Sequence, residues 1–299
     1  MFRRIGAAAA SNARAYQRAL QMTNARTRTL LLGGSSATFA ISFFAAKEAP
    51  QAPEVKVPSY EKNYDRIIAE ADALYDGYLI DNAYSILRKC ASSRNPELLW
   101  RLGRVLCEKA KLTKDSNEKK TLMYEAFAIL EKALENEEKP SFGAHKWYAI
   151  LLDYIGELEG NKSRIEKSYK VRDHLEKALN INQFDATTWY ILGMWHFAFA
   201  DMPGYTRMIA KTIFGTPPSS TYEEALRHFE KAELIQPNFY SKNTFAIAEV
   251  YERLGNKEKA VEYYKRAFKM AVISADDRDV HTKAHSKLGK FGIKDSQLV

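Results

Sequence analysis

Residues 225–232 read ALRHFEKA, in which a small side chain is followed four residues later by a large apolar one and three residues after that by another small one. The same spacing occurs five times along the chain. The copies are Ala83/Leu87/Cys90, Ala126/Leu130/Ala133, Val171/Leu175/Ala178, Ala225/Phe229/Ala232 and Ala260/Tyr264/Ala267. Small residues let two helices cross closely and large residues fill the space between stacked units, so the pattern predicts a helical repeat protein.

The helix before each copy carries residues of the tetratricopeptide signature W-x2-L-G-x2-Y, then A-x3-F, then P. The fullest match uses Trp189, Leu192, Gly193, Ala225, Phe229 and Pro237, with His196 in place of the tyrosine. A second match has Trp147, Ile150 and Tyr154. We therefore predict an all-α, tetratricopeptide-like α-solenoid of about five helix pairs over residues 60–288, followed by a flexible tail over 289–299. A plain helical bundle is the alternative.

The fourth copy contains an insertion, because Ala225 lies 29 positions after His196, where the signature has a spacing of about nine. Within it, one predicted helix face is formed by Tyr205, Met208, Ile209, Thr212 and Ile213. The sequence FGTPP (residues 214–218) then ends this helix, since proline cannot continue it. Ser220 or Thr221 begins the next helix through a capping box. We expect the extra helix to fold back on the solenoid.

The first 29 residues are rich in arginine, alanine, serine and threonine and contain no acid, which is typical of a mitochondrial presequence. Arg3, Arg4, Arg14 and Arg18 are the candidate targeting residues. A disordered basic tail is the alternative interpretation.

An uncharged stretch over residues 30–46 follows, with the sequence LLLGGSSATFAISFFAA. It is interpreted either as a membrane anchor of marginal length or as the apolar end of a cleaved presequence. Residues 47–59 contain Pro50, Pro53 and Pro58 and predict a stiff linker before the folded region.

The net charge of +8 is concentrated at this end of the chain. Of the 45 basic residues, seven lie in residues 1–47 without any acid, so the rest of the chain carries 38 basic and 37 acidic residues. A nearly neutral body argues against a broad nucleic-acid-binding surface.

Catalytic and metal-binding motifs are missing from the sequence, which contains no phosphate-binding loop, dinucleotide fingerprint, zinc-protease motif or nucleophile elbow. Two cysteines, Cys90 and Cys107, form neither a disulfide framework nor a zinc site. His281 and His285 are four residues apart without a nearby carboxylate, so we interpret them as a solvated pair. The prediction is a non-enzymatic protein without cofactor or metal.

In this repeat class the first helix of each pair lines a concave groove with its second, fifth, ninth and twelfth residues. Aligning Trp147 and Trp189 with the signature tryptophan assigns these positions in the third and fourth pairs. The resulting candidate ligand-binding residues are Tyr148, Leu152, Ile155, Tyr190, Met194 and Phe197, flanked by His145 and Thr187. This mostly apolar set suits an acyl chain or an apolar peptide segment. The alternative is core covered by the insertion.

Near the carboxyl end, Lys283, Lys287, Lys290 and Lys294 step by four, three and four residues. On a helix they would form one basic stripe for an acidic partner, although Gly289 and Gly292 weaken the helix prediction. A solvated capping helix is the alternative.

Three stretches carry a more specific pattern than the repeat signature. They are residues 146–160 (KWYAILLDYIGELEG), 186–200 (ATTWYILGMWHFAFA) and 213–243, which include FGTPPSST. In these stretches the chain resembles the regulator of microtubule dynamics protein family. The resemblance implies association with microtubules and spindles, a mitochondrial or cytosolic location, and, for one branch, an outer-membrane anchor and lipid exchange at membrane contacts. It does not assign contact residues for tubulin.

Overall fold

A computed structural model describes residues 59–135, 140–214 and 217–298 of the chain. Within these ranges it contains helices and no β-strand. The helices are α1 Ser59–Asp76, α2 Ile80–Arg88, α3 Pro96–Leu112, α4 Ser116–Leu134, α5 Phe142–Glu159, α6 Asn161–Ile181, α7 Ala186–Ala200, α8 Gly204–Phe214, α9 Tyr222–Ile235, α10 Ser241–Arg253, α11 Lys257–Lys269 and α12 Ala275–Lys290, followed by a 3₁₀-helix, Asp295–Gln297. The targeting arginines Arg3, Arg4, Arg14 and Arg18, the apolar stretch 30–46 and most of the linker lie outside the described residues.

The helices pack as five antiparallel pairs, α1/α2, α3/α4, α5/α6, α7/α9 and α10/α11, with α12 covering the last pair. This confirms the predicted all-α solenoid. The repeated small–large–small triplets lie on the second helices of the pairs, except that Cys90 follows the end of α2. Every member of the five triplets is at most 2% exposed except Cys90, which is partly buried.

Side-chain caps explain where most of the helices begin. Asn95, Asp115, Ser141, Asp185 and Asn256 each accept a hydrogen bond from a backbone amide in the first turn of the following helix. Such caps satisfy backbone donors that have no partner within the helix. The capping box predicted before α9 is present, with Thr221 as the cap and Glu224 as its partner.

The insertion forms α8, which packs beside α6, the second helix of the preceding pair. Arg207 anchors it by donating hydrogen bonds to the backbone carbonyls of Phe199 and Pro218. The prediction that the extra helix folds back on the solenoid is confirmed. However, two residues of the helix face predicted from the sequence are exposed, Tyr205 at 68% and Met208 at 67%. Ala210, which is not part of that face, is buried. The interpretation that the insertion covers the groove is not supported, because α8 lies against a second helix.

Residues 289–298, which the sequence predicts to be a flexible tail, are packed onto the solenoid. After α12 the chain turns at Gly292, where φ is +80°. Leu298 is then buried in an apolar cluster with Tyr264 and Leu288. The folded unit therefore extends past the predicted boundary at residue 288.

Among the helices of the described ranges, none combines the length and apolar character that a membrane span requires.

Candidate functional site

Tyr190, Met194 and Phe197, the candidate groove residues of the fourth pair, all lie on α7. Tyr190 and Phe197 are buried, at 4% and 5% exposure, whereas Met194 is partly exposed. The Tyr190 ring meets Tyr240 edge-on with ring centroids 5.2 Å apart, and the Phe197 ring lies 6.0 Å from Tyr222. The two aromatic rings are thus held by contacts within the chain, and Met194 is the accessible member of the three.

In the third pair the groove assignment is wrong, because the alignment on Trp147 is out of register by two residues. Ser141 caps α5 by accepting from the amide of Ala144, and Asp185 caps α7 by accepting from that of Thr188. When the two caps are aligned, His145 takes the place of Trp189. The side-chain contacts agree, since His145 meets His174 on α6 just as Trp189 meets His228 on α9.

This register places Tyr148, Leu152 and Ile155 in the helix interfaces, where each is at most 3% exposed. The ring of Tyr148 lies 5.1 Å from Phe127 on α4 and 4.3 Å from His174 on α6. These three side chains therefore belong to the packing core and do not line the groove.

The corrected groove positions of α5 are Gly143, Lys146, Ile150 and Asp153. Gly143 lies so close to the ring of Trp100 on α3 that a Cβ atom would come within 2.3 Å of it. Lys146 forms an ion pair of 2.8 Å with Asp185, the cap of α7. The centre of the groove is therefore more polar than the sequence analysis predicts.

Polar contacts like that between Lys146 and Asp185 recur along the solenoid and connect the first helix of each pair to the first helix of the next. We call this set the polar ladder. It comprises Asp72 with Arg101 and Arg104, Glu97 with Ser141, Lys146 with Asp185, Asp201 with Arg253, Lys242 with Asp276, and Glu252 with Lys287. Sequence reasoning missed the ladder because each partner is supplied by another helix.

The electrostatics of Asp185 show how the ladder is stabilised. Burial by itself would raise the pKa of this carboxyl group, but Lys146 and the hydrogen bonds from Thr188 outweigh burial and lower it. The aspartate therefore stays ionised and paired. Where the lysine and arginine side chains of a groove are paired in this way, few of them remain to bind the carboxylate of a peptide.

The four candidate lysines near the carboxyl end do not form one free stripe. Lys283 pairs with Asp279 at 2.9 Å, and Lys287 pairs with Glu252 on α10 at 2.7 Å. Lys290 is the last residue of α12, and Lys294 lies beyond the helix end. Lys283, Lys290 and Lys294 are exposed, while Lys287 is partly buried and holds α12 against α10.

Histidine pairs are the other chemically distinctive feature. The Nδ1 atoms of His145 and His174 are 3.0 Å apart, and the rings of His196 and His228 stack with centroids 4.5 Å apart. Burial, together with the neighbouring histidine, lowers the pKa of His174 to about 4 and that of His228 to about 4. Neither side chain is charged at neutral pH.

His281 and His285 do not form the solvated pair that the sequence indicates. His281 stacks on Phe268 and its Nδ1 contacts the carbonyl of that residue, whereas the Nε2 atom of His285 contacts Asp295. No group of three or more possible metal ligands occurs in the described part of the chain.

A family model described as regulator of microtubule dynamics protein 1-3 matches residues 67–292 of this chain. The chain is 43% identical over 221 residues to mouse regulator of microtubule dynamics protein 1, covering 74% of this chain and 72% of the mouse protein. It is 34% identical over 196 residues to regulator of microtubule dynamics protein 3 of Xenopus laevis, covering 64% of this chain and 41% of that protein.

Two solved structures that match this chain are described as tetratricopeptide repeat (TPR) proteins. A thermophilic TPR protein of Thermus thermophilus is 15% identical, with a TM-score of 0.49 over 75% of this chain and 98% of that chain. YrrB, described as a TPR protein with an unusual peptide-binding site, is 18% identical, with a TM-score of 0.45 over 79% of this chain and 99% of that chain.

Proposed function

The chain belongs to the regulator of microtubule dynamics protein 1-3 family, and on that premise we propose that it is a non-enzymatic scaffold that regulates microtubule dynamics. The observation that carries the proposal is the extent of the match. Residues 67–292 run from within α1 to beyond α12, so the match includes every helix pair. The function of the relatives named regulators would thus reside in the whole solenoid.

We place the microtubule contact at the carboxyl end of the solenoid, on Lys283, Lys290 and Lys294. These exposed lysines suit an acidic surface such as that of tubulin tails. Because salt at 0.1 M screens interactions between exposed charges over about 10 Å, such binding should weaken as the salt concentration rises. Lys287, the fourth member of the predicted stripe, is assigned to the packing of α12 through Glu252.

The test is co-sedimentation with microtubules across a salt series, using the triple variant Lys283→Gln/Lys290→Gln/Lys294→Gln. The matched control is Lys114→Gln/Lys120→Gln/Lys231→Gln, which removes three exposed lysines elsewhere. We expect the first variant to bind more weakly and to lose most of the salt dependence, while the control binds as the wild type does. Equal binding of the two variants would place the contact elsewhere. If the wild-type protein does not pellet with microtubules at any salt concentration, the proposed function itself fails.

We further propose that residues 1–29 direct the chain to mitochondria and that residues 30–46 attach it to a membrane, with the solenoid facing the cytosol. The arginine-rich, acid-free composition and the uncharged stretch after it support this location. The test is protease treatment of intact mitochondria carrying the tagged protein. Digestion of the solenoid agrees with a cytosolic orientation, and protection contradicts it. A variant with Arg3, Arg4, Arg14 and Arg18 changed to Gln should disperse.

A second candidate function is binding of a phospholipid or an apolar peptide at Tyr190, Met194 and Phe197. It is supported by Met194, which is partly exposed between two buried aromatic side chains on one face of α7. The variant Met194→Glu should keep the fold and abolish extraction of phospholipid from vesicles. Unchanged extraction by this variant would exclude the site.

A further inference from the structure

A cavity of about 500 Å³ opens between α4, α5 and α6, on the side of α5 that faces the second helices. Its volume lies within the range of about 300–1,000 Å³ that small-molecule sites occupy. It is separate from the groove positions of α7 and from the lysines of α12 that carry the proposed function. Neither the repeat signature nor the polar ladder requires it.

One wall is formed by α6 and is basic. Lys170, His174 and Lys177 are spaced by four and three residues, so they lie on one face of the helix, and all three line the cavity. Lys170 Nζ is 5.0 Å from the centroid of the Tyr148 ring. Both lysines are exposed, and neither forms an ion pair with another residue in the described ranges.

The facing wall is formed by the end of α4 and the residue that follows it, and is acidic. Glu131 and Glu135 are four residues apart and both line the cavity. Both are exposed, and among the described residues neither has an ion-pair partner. Counting described residues alone, the two walls therefore present two charges of each sign to the same space without forming ion pairs, in contrast to the polar ladder, where opposite charges are paired.

Aromatic side chains form the floor between the walls. It consists of Tyr148 and of His145 and His174, whose Nδ1 atoms are 3.0 Å apart. An imidazole N–H of one ring can donate to the Nδ1 atom of the other. The floor thus provides an aromatic surface between the two charged walls.

From this arrangement we propose that the cavity binds a zwitterionic small molecule, with its anionic group between Lys170 and Lys177 and its ammonium group at Glu131 and Glu135. A ligand with a single charge would meet one attractive and one repulsive wall. A zwitterion satisfies both walls and leaves the net charge of the site unchanged. Two sources share this chemistry, namely an unblocked short peptide and an aminoalkyl phosphate.

The test is isothermal titration calorimetry of the full chain with two probes, triglycine and phosphoethanolamine. Extended triglycine spans about 10 Å between its termini, and its blocked forms remove one charge at a time. We expect saturable binding of at least one probe. If triglycine binds, N-acetyl-triglycine and triglycine amide should each bind about tenfold more weakly or worse, because each lacks one of the two charge-assisted contacts. Phosphoethanolamine binding alone assigns the anionic group as a phosphate.

Two double variants separate the walls. Lys170→Gln/Lys177→Gln and Glu131→Gln/Glu135→Gln should each weaken binding about tenfold, whereas the control Lys114→Gln/Lys120→Gln should not. All substituted side chains are exposed, and circular dichroism verifies that the helices remain. Weakening by the lysine variant alone identifies a simple anion site and overturns the proposal, as does the absence of saturable binding for both probes. Neither result affects the microtubule assay.

Discussion

Gly193 on α7 lies directly against the ring of Phe229 on α9, and a Cβ atom at this position would come within 2.6 Å of the ring. Phe229 is completely buried, so its ring has no free space to move into. Gly103 lies in the same way against Leu130 in the second pair. The close approach of the two helices in a pair thus depends on the absence of a side chain at this position.

The variant Gly193→Ala should therefore lower the free energy of unfolding by about 1–3 kcal/mol, because an added methyl group overpacks the α7/α9 interface. Urea denaturation followed by circular dichroism measures the change. Gly289→Ala is the matched control, since no atom lies within 4 Å of its Cβ position. Equal stability of the two variants would show that the interface can open to accept the methyl group.

The buried histidines predict a loss of stability in mild acid. His174 and His228 have pKa values of about 4 in the fold, below their ordinary value of 6.5. As the pH falls from 6.5 towards 4, the unfolded state gains protons that the folded state does not, so stability falls by up to about 1.4 kcal/mol per pH unit for each histidine. Above pH 6.5 this contribution to the pH dependence disappears.

Urea denaturation at pH 7, 6 and 5 tests this effect in the wild type and in His174→Gln/His228→Gln. The variant removes the two titrations while leaving the carboxylates unchanged, so its stability should vary less with pH over this interval. A pH dependence as steep as that of the wild type would assign the effect to other groups.

The capping box at α9 predicts a local effect of one hydroxyl group. Thr221 Oγ1 accepts from the amide of Glu224 at 3.1 Å, and the Glu224 carboxylate accepts from the amide of Thr221 at 3.0 Å. Thr221→Ala should cost about 1 kcal/mol, the usual effect of removing a helix cap. Ser219→Ala, at an exposed position two residues earlier, should cost much less in the same thermal unfolding measurement.

The ion pair between Asp153 and Arg164 predicts a larger loss. The guanidinium group donates two hydrogen bonds, of 2.9 and 2.8 Å, to the carboxylate of a residue that is 8% exposed overall. Burial raises the pKa of Asp153 although Arg164 opposes the shift. Arg164→Ala should destabilise the protein by about 1–3 kcal/mol by leaving the carboxylate unsatisfied. Adding Asp153→Ala should not increase the loss if the unpaired carboxylate is its cause, and chemical denaturation of both variants decides this.

The repeat triplets were sufficient to predict the fold because their spacing reflects packing inside a single helix pair. The α5 register was harder. Trp147 matches the signature in residue type, but α5 begins at its cap, Ser141. Counting from that cap places Ala149 at the position that Gly193 has in the fourth pair. A cap residue followed eight positions later by a small residue would have given the correct register. Residue type alone could not, because a buried tryptophan fits more than one position on a helix.

The lysines near the carboxyl end show a different limit. Helical spacing predicted that Lys287 shares a face with Lys283, but the partner Glu252 lies 35 residues earlier on α10. Nothing local to Lys287 indicates that pairing. The same holds for the cavity between α4 and α6, whose opposite walls are formed by residues that lie on separate helices of two repeats.

The position of α8 bears on how the chain could be divided. The paired helices α7 and α9 remain in contact although residues 201–221 separate them, so their association does not require a short covalent connection. A break in the polypeptide on either side of α8 would leave the apolar surfaces of α7 and α9 intact. Exposed connections of this kind tolerate cleavage and insertion. This turn is therefore the place where the protein could be expressed as two complementing fragments, or where a reporter domain could be inserted, without disturbing the stack.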